Sequence, residues 1–132
     1  MATLNEKQAK FLDNTYVGVV TTMRDDASPH STVVWVDREN GTVSFNTARS
    51  RAKARHLSRN PKVSLLVVDP NDPYKWVSIS GTAELVEEGA DQQIDRLAKK
   101  YLGQDEYPWR SPDEQRVKVK INPERVESTG LD

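Results

Sequence analysis

From Tyr16 onward, β-branched and apolar residues recur at every second position in segment after segment, and most of these segments are separated by turn residues rather than helices. Such alternation puts one side of a segment on a core and the other outward, which is the pattern of antiparallel strands. Tyr16–Thr22, His30–Asp37 and Thr42–Thr47 are each rich in Val, Thr and aromatics. The linkers are Arg24-Asp25-Asp26-Ala27-Ser28-Pro29 and Arg38-Glu39-Asn40-Gly41, and Asn-Gly tolerates the positive φ of a tight hairpin. These segments predict a three-stranded meander. Lys62–Asp69 is a continuous apolar run, which predicts a central strand buried on both faces. The turn Pro70-Asn71-Asp72-Pro73 leads to a long strand, Tyr74–Val86. In it Val77, Ile79, Ala83 and Leu85 face one way and Trp76, Ser78, Ser80, Thr82 and Glu84 the other. Gly81 in its middle predicts a bulge or a close backbone approach. Arg116–Asn122 alternates again, and Pro123–Asp132 adds a short last strand.

Three segments read as helices. Thr3 and Glu6 have the spacing of a capping box, ahead of Leu4, Phe11 and Leu12 on one face. Ala48–Arg59 stops at Asn60-Pro61, because proline cannot continue the backbone ladder. Glu88–Leu102 carries the stripe Ile94, Leu97, Ala98, Tyr101 and Leu102, with Lys99 and Lys100 near its end and Gly103 closing it. Hairpin-linked strands with helices at the crossovers predict a closed or half-closed antiparallel barrel. The order argues against an open parallel sheet, since strands and helices do not alternate.

Composition narrows the chemistry. A chain of 132 residues is the length of a single domain, taken as residues 1–132. With no cysteine there are no disulfides, thiolate metal sites or cysteine nucleophiles. Lys and Arg number 19 against 20 Asp and Glu, so the chain is not generally basic. Apolar residues are only 36%, which predicts that some apolar surface is buried against a partner chain. The first residues have no apolar signal region and no run is long enough for a membrane span, so a soluble, cytoplasmic protein is expected.

Charge is nonetheless segregated. Arg49–Arg59 holds five cations and no acid, while Glu84–Glu114 holds nine acids and four bases. The cationic stretch follows a strand, with Ser50 as the expected N-cap, so free helix N–H groups would stand beside Arg51 and Lys53. That placement reads as a phosphate site. A solvated helix face, with Arg51, Arg55 and Arg59 along one stripe, fits the same residues. A single-strand nucleic-acid groove is the third reading, weakened because no aromatic residue is interleaved for base stacking.

Trp76 stands on the polar side of its strand beside Ser78 and Ser80, where a ring covers a ligand, meets a second subunit or tucks under a loop. Trp35 reads as structural, and Trp109 as a loop anchor or a lid. His30 and His56 lack partners at metal-ligand spacing, so no metal is expected. Asp25-Asp26 belong to a turn and Glu87-Glu88 to a helix start. No catalytic constellation is legible, which fits a protein whose cofactor carries the chemistry.

The ordered set Val17-Gly18-Val19-Val20-Thr21-Thr22, Ser28-Pro29-His30-Ser31, Val43-Ser44-Phe45-Asn46-Thr47, Ser50-Arg51-Ala52-Lys53-Ala54-Arg55-His56-Leu57 and Asn60-Pro61-Lys62-Val63-Ser64 resembles the pyridoxamine-5′-phosphate-oxidase-like, FMN-binding split-barrel superfamily. With Tyr74-Lys75-Trp76-Val77-Ser78-Ile79-Ser80-Gly81-Thr82-Ala83 it is similar to the branch of coenzyme F420-dependent (deazaflavin) oxidoreductases. The resemblance implies a mainly β fold, a six-stranded antiparallel split β-barrel with peripheral helices. It also implies a homodimer with a cofactor groove at the subunit interface. Under it, Arg51 and Lys53 hold the cofactor phosphate and Ala52 adds backbone N–H contacts. Ser50, Asn46 and Thr47 line the groove near the ribityl chain, and Thr32 and Val33 flank the ring edge. Trp76 and Ser78 border the ring pocket from the opposite subunit, and Arg55 meets a polyanionic cofactor tail. The implied activity is hydride transfer between reduced F420 and a small-molecule acceptor such as a conjugated alkene, quinone or tetrapyrrole. An FMN-dependent reductase or oxidase and a non-catalytic flavin or tetrapyrrole binder are the alternatives. Pyridoxamine-phosphate oxidases carry a C-terminal segment that contacts substrate, and this chain is short there, so a different substrate is expected. Neither nucleic acid nor membrane is an expected partner.

Overall fold

A computed structural model describes residues 2–131. Its elements are α1 (Glu6–Leu12), β1 (Gly18–Met23), β2 (Pro29–Val34), β3 (Asp37–Glu39), β4 (Thr42–Ala48), α2 (Ala52–Arg59), β5 (Lys62–Asp69), β6 (Asp72–Val86), α3 (Ala90–Leu102) and β7 (Arg116–Thr129). The strands form one antiparallel sheet in the order β2-β1-β5-β6-β7-β4-β3.

That order dictates the shape. β2 and β3 are the two edges, yet only Trp35 and Val36 connect them. The Cα atoms of Val34 and Asp37 are three virtual bonds apart, at most about 11 Å. The edges of a flat seven-stranded sheet would lie roughly 29 Å apart. The sheet must therefore curl until its edges nearly meet, giving a mainly β split barrel with three helices around it. The predicted strand His30–Asp37 is this wrapping segment, broken at Trp35-Val36 into β2 and β3, so the strands number seven and not six. The same break overturns the expected meander. β2 pairs with β1 at one edge, while β4 pairs with β3 and β7 at the other.

The core fills the inside of the curl with Phe11, Leu12, Val20, Val36, Phe45, Leu65, Val77, Ile79, Val117, Val119 and Ile121, among others. On β5 only Val63, Leu65 and Val67 point into it. Leu66 on the outward side is 38% exposed, so the strand is not buried on both faces. Gly81 provides both features expected of it. The β6–β7 register shifts between Ser80 and Gly81, and a Cβ on Gly81 would stand 2.0 Å from the Asn122 carbonyl oxygen. The bulge lets β7 bend and continue through the tail residues as one strand to Thr129, in place of a separate last strand. The end of that reading, Asp132, lies outside the described residues.

Helix ends shift by a few residues. The capping box of α1 is Asn5 with Gln8, not Thr3 with Glu6. The Gln8 N–H donates to Asn5 Oδ1 at 2.8 Å, and the Asn5 N–H donates to Gln8 Oε1 at 2.9 Å. This start frees the Gln8 amide to donate to Ser128 Oγ at 2.9 Å, tying α1 to β7. α2 begins at Ala52, because residues up to Ala48 remain in β4 and pair with β7. α3 ends at Gly103 as expected, in the left-handed conformation. Leu102, though, falls outside the buried stripe and is 39% exposed. Fully buried Gln93 holds α3 on the barrel by donating to Ser44 Oγ (2.8 Å) and Asp37 Oδ2 (3.2 Å), and Arg96 donates to the same carboxylate at 2.6 Å.

Candidate functional site

The end of β4, the start of α2 and the start of β7 converge where the barrel splits. β4 alternates Phe45 into the core and Asn46 toward α3, where the Asn46 amide donates to the Ala90 carbonyl (2.8 Å) and Gln93 Oε1 (3.0 Å). The chain then turns at residues 49–51 and enters α2. The resulting cavity, of about 180 Å³, is lined by Val33, Val34 and Trp35 from the β2 edge, Asn46 and Thr47 from β4, and Arg51 and Lys53 from the α2 start. Ile94 and Leu97 of α3, Tyr107 and Trp109 of the α3–β7 connection, and Arg116 of β7 complete it.

Its polar side is cationic. Lys53 is 8% exposed and has no ion pair or side-chain hydrogen bond among the described residues. Burial first, then the neighbouring charges of Arg51 and Arg116, hold its pKa below the ordinary lysine value. Thr47 is 1% exposed and its hydroxyl is buried without a partner. Arg51 occupies the N-cap position of α2 and no side chain caps the helix, so the first-turn N–H groups add their partial positive charge. Arg116 is already compensated: it donates to Glu114 Oε2 at 2.7 Å and to Asn46 Oδ1 at 3.4 Å. An ammonium left unpaired inside a wall, next to an orphaned hydroxyl and open helix N–H groups, is a set of donors short of an acceptor.

Its other side is aromatic. Trp35 stacks on Tyr101 at 5.4 Å and 6°, and Tyr107 meets Trp35 edge-on at 6.0 Å. Trp109 meets Tyr107 edge-on at 5.7 Å. Tyr101 fixes the far end of this row, donating its hydroxyl to the Tyr16 carbonyl (2.6 Å) and accepting the Val36 N–H (3.0 Å). The Arg116 guanidinium lies 4.8 Å over the Tyr107 ring, joining the two sides of the cavity.

Of the residues singled out in the sequence, Val33, Asn46, Thr47, Arg51 and Lys53 come together here. Ala52 supplies the first helical N–H beside them. Ser50 is not the N-cap; it is exposed, and its carbonyl accepts from the exposed Arg55 guanidinium, so both stand outside the cavity wall. Thr32 lies on the inner side of β2 with its hydroxyl buried and unpartnered. Trp76 and Ser78 are on the outer face of β6, opposite Val68 and Leu66, and do not line this chain's cavity. Sequence reasoning missed Arg116, Ile94, Leu97 and Tyr107, and it read Trp35 as structural. The signal within reach was Pro108-Trp109 with Tyr107, an aromatic pair in a loop where no core needs it. The histidines meet, which was not expected: their rings lie 5.1 Å apart, edge to face, and His56 Nδ1 shares a 2.9 Å hydrogen bond with Thr22 Oγ1. Among the described residues no group of three or more His, Asp or Glu could hold a metal, and no helix is long and apolar enough to cross a membrane.

Comparison with known proteins agrees with this architecture. An F420 reductase superposes with a TM-score of 0.80 at 24% identity, covering 94% of this chain and 98% of the other. A conserved hypothetical protein of Mycobacterium tuberculosis gives 0.76 at 26%, covering 98% and 86%. General Stress Protein 26 of Bacillus anthracis gives 0.72 at 25%, covering 94% and 92%. The family model described as pyridoxamine 5′-phosphate oxidase matches residues 4–130, so the chain belongs to that family.

Proposed function

We propose that this protein is an oxidoreductase that binds the phosphate of a flavin-type cofactor, coenzyme F420, at the start of α2 and uses it to reduce a small organic acceptor. The observation that carries the reading is Lys53, a buried and unpaired cation beside the unpartnered Thr47 hydroxyl and an uncapped helix start. Lys53, Arg51 and the N–H groups from Ala52 onward would hold the phosphate, and Thr47 would donate to it or to the adjoining polyol. Hydride chemistry is what the deazaflavin supplies when bound. The chain's own contribution is to grip the anion, to orient the ring and to exclude water through Val33, Ile94 and Leu97. Arg51 and Arg55, both exposed beside the helix start, are charges that a longer polyanionic tail would meet, which favours F420 over FMN.

A second copy of the chain belongs to this reading. The outer face of β2, β1 and β5 carries Val33, Val19 and Leu66 in register across three strands, with 63%, 38% and 38% of their surfaces exposed. A row of open apolar side chains on a sheet face is a surface that a homodimer would cover. Trp76 and Ser78 adjoin that row and would border the cofactor of the other protomer. Leu66→Glu should turn the dimer to monomer in sedimentation velocity, and a wild-type monomer would remove this part of the proposal.

The cofactor assignment is tested by calorimetric titration with F420 and with FMN. Wild type should bind F420 more tightly than FMN. Arg51→Gln with Lys53→Gln should weaken both, since each charge-assisted bond is worth about 1.5–3 kcal/mol. Binding of neither cofactor at micromolar concentration, or unchanged affinity in the double variant, would refute the reading.

A further inference from the structure

The cationic half of the cavity accounts for a phosphate, but the aromatic half is left without a task. We infer that Trp109 and Tyr107, on the α3–β7 connection, form a stacking subsite for the acceptor, and that this acceptor is a planar, uncharged ring. The inference rests on the proposed cofactor site and adds to it the class of the second ligand.

The first support is that these rings are not core. Trp109 is 62% exposed and Tyr107 is half-buried, while every neighbouring residue from Gly103 to Arg110 is exposed. Large rings in a hydrated connection gain little from burial. Their position is nevertheless fixed. The Tyr107 N–H donates to Asp95 Oδ1 at 2.9 Å, Arg110 donates to the same oxygen at 2.6 Å, and Arg110 also pairs with Asp91 at 3.2 Å. Asp91 and Asp95 are on α3, so the connection is latched to a helix that is itself pinned to the barrel through Gln93 and Arg96. A wall held this way is ordered before any ligand arrives, which lowers the entropy lost on binding.

The second support is which ring surfaces remain free. Trp35 has one face on Tyr101, and Tyr107 has one face under the Arg116 guanidinium. Trp109 touches Tyr107 only through an edge-on contact and leaves its indole open at the cavity mouth. Offset stacking on an open indole selects for flat ligands, and a saturated ring of equal size cannot reproduce it.

The third is charge. Among the described residues Arg51 and Lys53 are the cavity's cations without an acidic partner, and both stand at the α2 start where the cofactor's anionic groups would lie, while Arg116 is already paired with Glu114. The aromatic side therefore offers no unpaired cation to an anionic acceptor, since Arg110 and Arg116 are both held by acids. The open, solvent-facing position also suits a ligand that must leave each cycle, whereas the buried Lys53 and Thr47 suit one that stays.

The test compares 2-naphthol with decahydro-2-naphthol, which share a skeleton and a hydroxyl and differ in planarity. Calorimetric titration of each into FMN-saturated or F420-saturated protein should show the planar compound binding about tenfold more tightly. Trp109→Ala should abolish that preference and leave the cofactor Kd within twofold of wild type. Tyr107→Leu should reduce the preference, and a circular dichroism spectrum matching wild type checks that the connection stays folded. Equal binding of the two compounds to wild type, or an undiminished preference in both variants, would overturn the subsite. Loss of cofactor affinity in step with loss of 2-naphthol binding would also overturn it, since the wall would then hold the cofactor's own ring. Failure of the cofactor reading itself shows earlier and separately, as absence of F420 and FMN binding to wild type.

Discussion

Lys53→Met should move two properties in opposite directions. In the free protein Lys53 as a residue is 8% exposed, and its ammonium faces Arg51 and Arg116 with no anion among the described residues. Methionine keeps much of the stem's volume and removes the charge. Desolvation of that charge and its repulsion from Arg51 and Arg116 both disfavour the folded state. The variant should therefore be more stable, by up to about 1 kcal/mol, raising Tm by roughly 2–5 °C for a chain of this length. A phosphate ligand would lose one charge-assisted hydrogen bond, about 1.5–3 kcal/mol, which weakens binding by roughly 10- to 150-fold. Thermal unfolding without ligand and calorimetric titration with F420 read the two quantities independently. The pH dependence has the same origin. Because folding lowers the Lys53 pKa from its ordinary 10.5, the unfolded chain binds more protons in the window just below that value. This group's contribution makes unliganded stability rise with pH through the window, while anion affinity falls as the ammonium is lost. A Lys53→Met protein that is less stable than wild type yet binds the cofactor equally well would refute the reasoning, since the charge would then be satisfied in the free protein.

Gly81→Ala should destabilise the protein by about 3 kcal/mol or more in urea titrations, because the new Cβ would meet the Asn122 carbonyl oxygen at 2.0 Å and backbone cannot step aside. Tyr101→Phe should cost about 1–3 kcal/mol in the same assay, by stranding the Val36 N–H that now donates to the tyrosine oxygen. His56 is held neutral first by burial and then by nearby His30 and the cations Arg59, Arg24 and Arg55, so its pKa lies below 6.5 in the folded chain. The unfolded chain then takes up a proton as pH falls through 6.5, so stability should decline below that pH, and His56→Gln should flatten the decline in denaturation midpoints measured from pH 5 to 8.

How much of this was legible depended on whether a signal was local. The strand Lys62–Asp69 was read to the residue, the Gly81 irregularity was foreseen, and Gly103 closes α3 as expected, because period, backbone freedom and capping act over a few neighbouring residues. The cationic stretch at the β4–α2 junction was visible because its five charges fall within eleven residues with no acid among them. The errors were of another kind. His30–Asp37 looked like one straight strand, since nothing in its alternation reports that the sheet must bend at Trp35-Val36. Leu66 was taken as buried because an apolar run carries no mark of which side lacks a covering layer.

The chain by itself decides its strands, its helix stops and the presence of a local positive field, since each arises from residues within one or two turns of each other. Only the curled sheet decides what that field meets. It carries Arg116 to Asn46 across 70 residues and sets Tyr107 against Trp35, with Trp109 beyond it against Tyr107. It also buries Lys53 away from the acids that outnumber it in the chain as a whole. Closure of the barrel is a long-range event, and the chemistry of a cleft depends on which distant side chains it brings face to face and which it leaves without a partner.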